Sequence, residues 1–242
     1  APVGLMKLWI RKTLSARGNF KYFPRRKQSS YRGRSRFGWL SNERIIWGLI
    51  GTNCVVFGLW QSDDPRYLNR MYHHFAVSTH NLVDLGHFHS LVLSIFSHQR
   101  TDHLLTNMFT LYFFGTSTLY DLGVRRFFTL YFTGGMVGFL GWMVWNNFRP
   151  NNTKTNRKTP SLGASGAISA VVTWSVLTRP LSLVYVFGIV PLPGAVFGAA
   201  FVGQDLYHMY VGTSDSVAHS AHVNGALCGG IFWLMWRNSI LV

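Results

Sequence analysis

The sequence predicts an all-α polytopic membrane protein in which six transmembrane helices follow a basic N-terminal arm, and three observations carry that prediction. Of the 242 residues, 48% are hydrophobic and only 13% are charged, about half the charged share of an ordinary soluble domain. Apolar windows that approach or reach the length of about 17–25 residues needed to cross a bilayer as helix recur between polar or proline-bearing connectors. Basic charge is gathered at one end, since the first 42 residues hold 11 of the 23 Lys and Arg and none of the 8 Asp and Glu.

The first window runs from Ile45 to Trp60 and is slightly short, with Trp, Arg and Asp at its flanks. A long polar connection follows from Gln61 to about His89, and Leu91 to Phe96 is apolar but too short to span, which places it at the interface. Five further windows follow at His103–Tyr120, Phe127–Trp145, Leu162–Leu177, Pro193–Met209 and His222–Trp236. If each window crosses once, the connectors Asn146–Ser161 and Gly212–Ala221 lie on the face opposite the arm. Arg125, Arg126, Arg179 and Arg237 then fall on the arm side, in keeping with the positive-inside tendency, although Arg66, Arg70, Arg100, Arg149, Lys154, Arg157 and Lys158 fall on the other. The organisation expected is a basic arm over residues 1–43 and one membrane domain over residues 44–242.

The arm is Arg-rich, contains Ser, lacks acids and has no continuous apolar core, the pattern of a mitochondrial, matrix-facing segment. A cytoplasmic polybasic tail on anionic lipid is the plainer alternative. Nucleic acid is not an expected partner, because no basic stripe interleaved with aromatics recurs outside the arm. Cys54 and Cys228 each lie inside an apolar run, which excludes a disulfide framework and reads as buried packing.

Polar residues inside spanning windows are costly and so are functional candidates. Ser165 sits in Gly163-Ala164-Ser165-Gly166-Ala167, where small neighbours admit a close helix and leave the hydroxyl unshielded. Taken alone, such a serine more often bonds back to a carbonyl one turn earlier. His222 lies among small residues in Ala221-His222-Val223-Asn224-Gly225-Ala226, and a neutral imidazole can take a hydroxyl proton as the oxygen attacks. Neither window holds an Asp or Glu, so the expectation is a Ser-His dyad whose imidazole is held by packing. His103 and Asn107 share one helix face a turn apart, where they could donate to an oxyanion or form a structural interhelical bond. Asp205 reads as a helix-end or interhelical hydrogen-bonding group.

Other chemistries find less support. No His-Glu-x-x-His string exists for a metalloprotease, and Asp205 alone cannot supply an aspartyl pair. His73, His74, His80, His87 and His89 crowd the first connection, but no two stand four apart and no Cys joins them, so no metal is assigned to them.

The pieces Phe96-Ser97-His98, His103-Leu104-Leu105-Thr106-Asn107-Met108, Phe113-Phe114-Gly115, Gly163-Ala164-Ser165-Gly166-Ala167 and Ala221-His222-Val223-Asn224-Gly225 together resemble the rhomboid family of intramembrane serine proteases, in the family's order. The run Thr159-Pro160-Ser161-Leu162-Gly163 and the basic arm most resemble mitochondrial rhomboids of the plant type. The resemblance implies a catalytic dyad of Ser165 and His222, an oxyanion site that includes His103 and Asn107, and cleavage of a transmembrane protein substrate in the lipid bilayer. It implies no cofactor and no metal, and a multi-pass position in the mitochondrial inner membrane. A non-proteolytic relative acting in binding, complex assembly or protein translocation, with membrane-complex partners, is the rival reading. Two departures carry expectations. Asn224 stands where many members have Gly or Ala, which should loosen the contact between the fourth and sixth helices. Ser169 stands where some bacterial members stack an aromatic on the histidine, which should leave His222 less firmly held.

Overall fold

The computed structural model describes residues 42–148, 157–186, 189–212 and 218–240. The arm assigned to residues 1–43 therefore lies outside the described residues apart from Asn42 and Glu43, which open the first helix.

Helix α1, Asn42–Leu59, covers the first window. The polar connection after it is more structured than its composition implied. Helix α2, Pro65–Phe75, starts with Asp64 as its cap, whose side chain accepts the Arg66 N–H at 2.9 Å while Pro65 takes the position that needs no donor. A π turn at His80–Asp84, the short helix α3 (Ser90–Leu93) and a 3-10 turn at Ser94–Phe96 follow, so the apolar stretch predicted not to span is two short turns that bury Ser94 and Ile95 against the core. Helix α4, Thr101–Thr110, passes through a π segment at Leu111–Gly115 into α5, Thr116–Phe148. Gly123 interrupts α5 with φ 75° and ψ 167°, a conformation open to glycine, and divides the second apolar window from the third. The continuous run Thr101–Phe148 is the described segment long and apolar enough to cross a membrane.

Helix α6 is Ser165–Thr178, α7 is Gly194–Val211 and α8 is His219–Arg237. The fold is mostly helical, as expected, with one local departure between α6 and α7. Strands β1, Leu183–Val186, and β2, Val190–Pro193, pair antiparallel with Leu183 opposite Pro193. Pro191 and Pro193 bar a helix there but fit an edge strand, and Val, Tyr and Leu favour the pleated form.

Helix α6 is the centre of the packing, between α5 and α8. Its residues from Gly166 to Val172 are buried on every side, the mark of a helix enclosed by others. Small residues make this closeness available: a methyl group on Gly225 would overlap the Gly166 carbonyl, and one on Gly229 would overlap the Ala170 carbonyl. The outward faces are apolar instead, with Val55 on α1, Phe109 on α4, Val144 on α5, Tyr210 on α7 and Ile231 on α8 all exposed. Small residues between helices and large apolar ones outside is the pattern of helices in lipid.

Candidate active site

Ser165 is the first residue of α6, with Ala164 as its cap. This placement removes the reading of Ser165 as a back-bonded helix serine, because no helical turn precedes it. The approach to the serine is anchored strand-fashion and side-chain-fashion in sequence. Ser161 and Val77 exchange backbone bonds of 2.7 and 2.9 Å, the Gly163 N–H donates to the Ser94 carbonyl at 3.0 Å, and the Ala164 N–H points to His98 Nε2 at 3.5 Å. Gly163 holds φ at +133°, where a side chain would be strained and would also meet the His103 ring. Ser165 is partly exposed. Its N–H, at the start of the helix, has no intrahelical acceptor and lies at the positive end of the helix dipole.

His222 sits in the first turn of α8, three residues after His219. Its Nδ1 lies 3.0 Å from Asp205 Oδ1 on α7, and His219 Nδ1 lies 2.7 Å from the same oxygen. This corrects the expectation that packing alone would hold the imidazole. The acid lies outside the Ser165 and His222 windows, on the intervening helix. A carboxylate only accepts, so both imidazoles donate from Nδ1, which leaves the lone pair of His222 on Nε2. Asp205 is 5% exposed, and the His208 ring stacks on His219 at 4.5 Å and 6°. His222 is thus held by hydrogen bonding to Asp205, with Ser169 in place of a stacking aromatic.

The residue after Ser165 touches the residue before His222: a methyl group built on Gly166 would lie 3.5 Å from the Ala221 carbonyl oxygen. Ser165 and His222 therefore occupy the tight end of one helix pair, although no hydrogen bond between them is formed among the described residues. Such bonds are often long before substrate arrives. His103 reaches the same place from α4. A methyl group at Gly163 would be 2.8 Å from His103 Cε1 and 3.7 Å from Ser165 Oγ, so ring and hydroxyl border one space, and His222 lies within electrostatic reach of His103. Asn107 is buried below it and donates one amide hydrogen to the His103 carbonyl at 2.8 Å.

Two contributors went unread in the sequence. His219 carries a signal that could have been found, the i, i+3 spacing to His222 near an intramembrane acid. His98 was visible only as a letter of the resemblance; it is fully buried, packs edge-on to His103 at 5.1 Å and faces the Ala164 N–H. Burial, then the charge of His103, pulls its pKa down to about 3, so the ring is neutral.

Two more expectations are corrected. Asn224 faces α5 instead of α6: it occupies the space where Gly141 would otherwise carry a methyl group, and its Nδ2 donates to the Ser220 carbonyl at 2.8 Å. The contact between α6 and α8 is not loosened. Cys54 is exposed, on the outer face of α1, and Cys228 is half-buried beside Thr133. The first-loop histidines do gather, with His74 Nδ1 2.9 Å from His89 Nε2 and His87 stacked on His74 at 5.0 Å.

The chain is similar to known proteins over most of its length. Residues 85–238 match the model of the Rhomboid domain. The chain is 29% identical over 221 residues to RHOMBOID-like protein 12, mitochondrial, of Arabidopsis thaliana, covering 86% of this chain and 64% of the relative. It is 32% identical to Presenilin-associated rhomboid-like protein A, mitochondrial, of Danio rerio (83% and 51%). Rhomboid protein 1, mitochondrial, of Saccharomyces cerevisiae shows 30% identity (78% and 52%). The chain thus spans between about half and two thirds of the length of these relatives. With the matched domain extending from the first loop to the end of α8 and enclosing every residue of the site, the chain belongs to the rhomboid family.

Proposed function

We propose that the chain is an intramembrane serine endopeptidase that cleaves single-pass transmembrane substrates, with Ser165 as nucleophile and His222 as general base. The observation that carries this reading is the convergence of a helix-initial hydroxyl and an imidazole whose Nδ1 is engaged by a buried carboxylate, on the most closely packed pair of helices.

In the reaction, His222 Nε2 accepts the Ser165 proton as Oγ bonds to the substrate carbonyl carbon. The oxyanion is met by the Ser165 N–H, His103 and the second amide hydrogen of Asn107, each such donor being worth about 3 kcal/mol. His222 then returns the proton to the leaving amine, and water repeats the sequence on the acyl-enzyme. Asp205 holds the tautomer and supports the imidazolium. The steps balance without a metal or cofactor.

Six crossings by α1, the two halves of the Thr101–Phe148 run, α6, α7 and α8 account for the apolar outer faces. They also account for which connectors meet. Arg157, after the third crossing, pairs with Asp84, after the first, while Arg179, after the fourth, pairs with Asp121, after the second. Helix α6 has 14 residues, about 21 Å at the usual rise, against a hydrocarbon core of about 30 Å. Its N-terminus is then recessed, and water reaches Ser165 from the face opposite the arm. With residues 1–43 in the matrix and residues 44–242 as the membrane domain, the site opens toward the intermembrane space from a multi-pass position in the inner membrane. The mitochondrial names of the relatives support the compartment, and the presenilin-associated names support partners among membrane proteins.

The test is labelling of the chain in membranes by a serine-directed fluorophosphonate, with cleavage of a model transmembrane substrate. Both should occur in the wild type and vanish in Ser165→Ala and His222→Ala. A stably folded wild type that shows neither would replace this reading with a role in binding or assembly.

A further inference from the structure

We propose that Asp205, His219 and His222 form an inhibitory site for a divalent transition-metal ion of the zinc class. Binding is argued from geometry; the inhibitory consequence rests on the protease reading above. One ligand atom from each residue lies within 4.8 Å of the other two, and the two Nδ1 atoms stand 2.7 and 3.0 Å from the same carboxylate oxygen. Zinc with nitrogen and oxygen ligands at about 2.0–2.1 Å sets neighbouring ligand atoms about 3.3 Å apart in a tetrahedron. Admitting the ion asks the two hydrogen bonds to open by about half an ångström and the two nitrogens, within 4.8 Å of each other, to settle at the same spacing. Two imidazoles and one carboxylate, with water in the fourth position, are a donor set that zinc accepts. The Asp205 and His219 side chains are 7% and 9% exposed, so their desolvation is already met by folding, and the His208 ring stacked on His219 fixes its plane. Among the described residues the ion pairs of Asp205 are with histidine alone. A dication would thus meet a buried carboxylate that no Lys or Arg neutralises.

The consequence follows from the two nitrogens of one ring. When the ion takes the Nδ1 lone pair of neutral His222, the proton formerly on Nδ1 resides on Nε2, with no net proton gained or lost. Nε2 then cannot accept the Ser165 proton, and the nucleophile stays protonated. Removal of the ion returns the proton to Nδ1 and restores the base. The metal acts as a tautomer lock and takes no part in the chemistry.

Cobalt serves as the spectroscopic probe. Full-length Ser165→Ala protein in detergent micelles should develop the visible bands of tetrahedral Co2+ at one equivalent, displaced by Zn2+. His219→Gln keeps a donor to Asp205 but removes a ligand, and should weaken binding at least about tenfold; His222→Gln does the same should the first variant unfold. Absence of the bands, or bands that persist in both variants and vanish in His74→Ala, overturns the site. In the wild type, Zn2+ should slow fluorophosphonate labelling of Ser165 at least about tenfold, with recovery on chelation. Unchanged labelling while Co2+ binds overturns the inhibitory role. Absence of labelling with and without metal strikes the protease reading instead, and the cobalt titration of Ser165→Ala still decides the site.

Discussion

One oxygen of Asp205 accepts from two imidazoles, and that makes a neutral replacement informative. In Asp205→Asn the amide can turn its NH2 toward His222, forcing Nδ1 to accept and placing the proton on Nε2, the wrong tautomer for a base. The turnover of Asp205→Asn should fall about 10²-fold or more with KM nearly unchanged, in protein whose thermal unfolding matches wild type. His98 offers a second test, through pH. Its pKa is about 3 in the folded chain against 6.5 unperturbed, so the unfolded chain takes the proton first as pH falls. The stability that neutral His98 supplies is complete above about pH 6.5 and drains away between there and about pH 3, by roughly 5 kcal/mol at most. Thermal unfolding against pH should show that slope, and His98→Gln, which can still accept from the Ala164 N–H, should flatten it.

Helix pairs are set by which small residue faces which neighbour. Gly225 lies against the Gly166 carbonyl with no room for a methyl group. Gly225→Ala should therefore push α8 from α6, costing about 1–3 kcal/mol and separating His222 from Ser165. Labelling of Ser165 in the folded variant is the readout. Gly141 and Asn224 form a matched pair between α5 and α8. Gly141→Ala alone should destabilise by about 1–3 kcal/mol, and Asn224→Ala should recover part of it, so the double-mutant cycle gives a coupling that unpaired sites would lack. From the letters alone Asn224 read as an obstacle, because its partner glycine is 83 positions away and nothing local connects them.

At the level of the whole molecule, the alternation of connectors makes a prediction about sides. In a chain with Cys54 and Cys228 replaced by serine, Gln61→Cys should react with an impermeant maleimide from one face of sealed vesicles and Leu183→Cys from the other. Reaction of both from the same face would break the six-crossing arrangement. The positions follow from the ion pairs Asp84–Arg157 and Asp121–Arg179, which in the proposed six-crossing arrangement join connectors two crossings apart.

Hydropathy and spacing determined where the apolar helices run, that Ser165 lies near the start of α6, and that small residues line the faces of α6 and α8; the window opened at Leu162, and the helix itself begins at Ser165. These are local properties, written in neighbouring residues. Tertiary structure alone decided that Asp205 crosses from α7 to hold His222 and His219, that His98 props the cap of α6, and that a proline-bearing connector folds as a hairpin. Each of those depends on which side chains meet across a buried interface, and the free energy of such a meeting belongs to pairs distant in the chain, which no window of sequence contains.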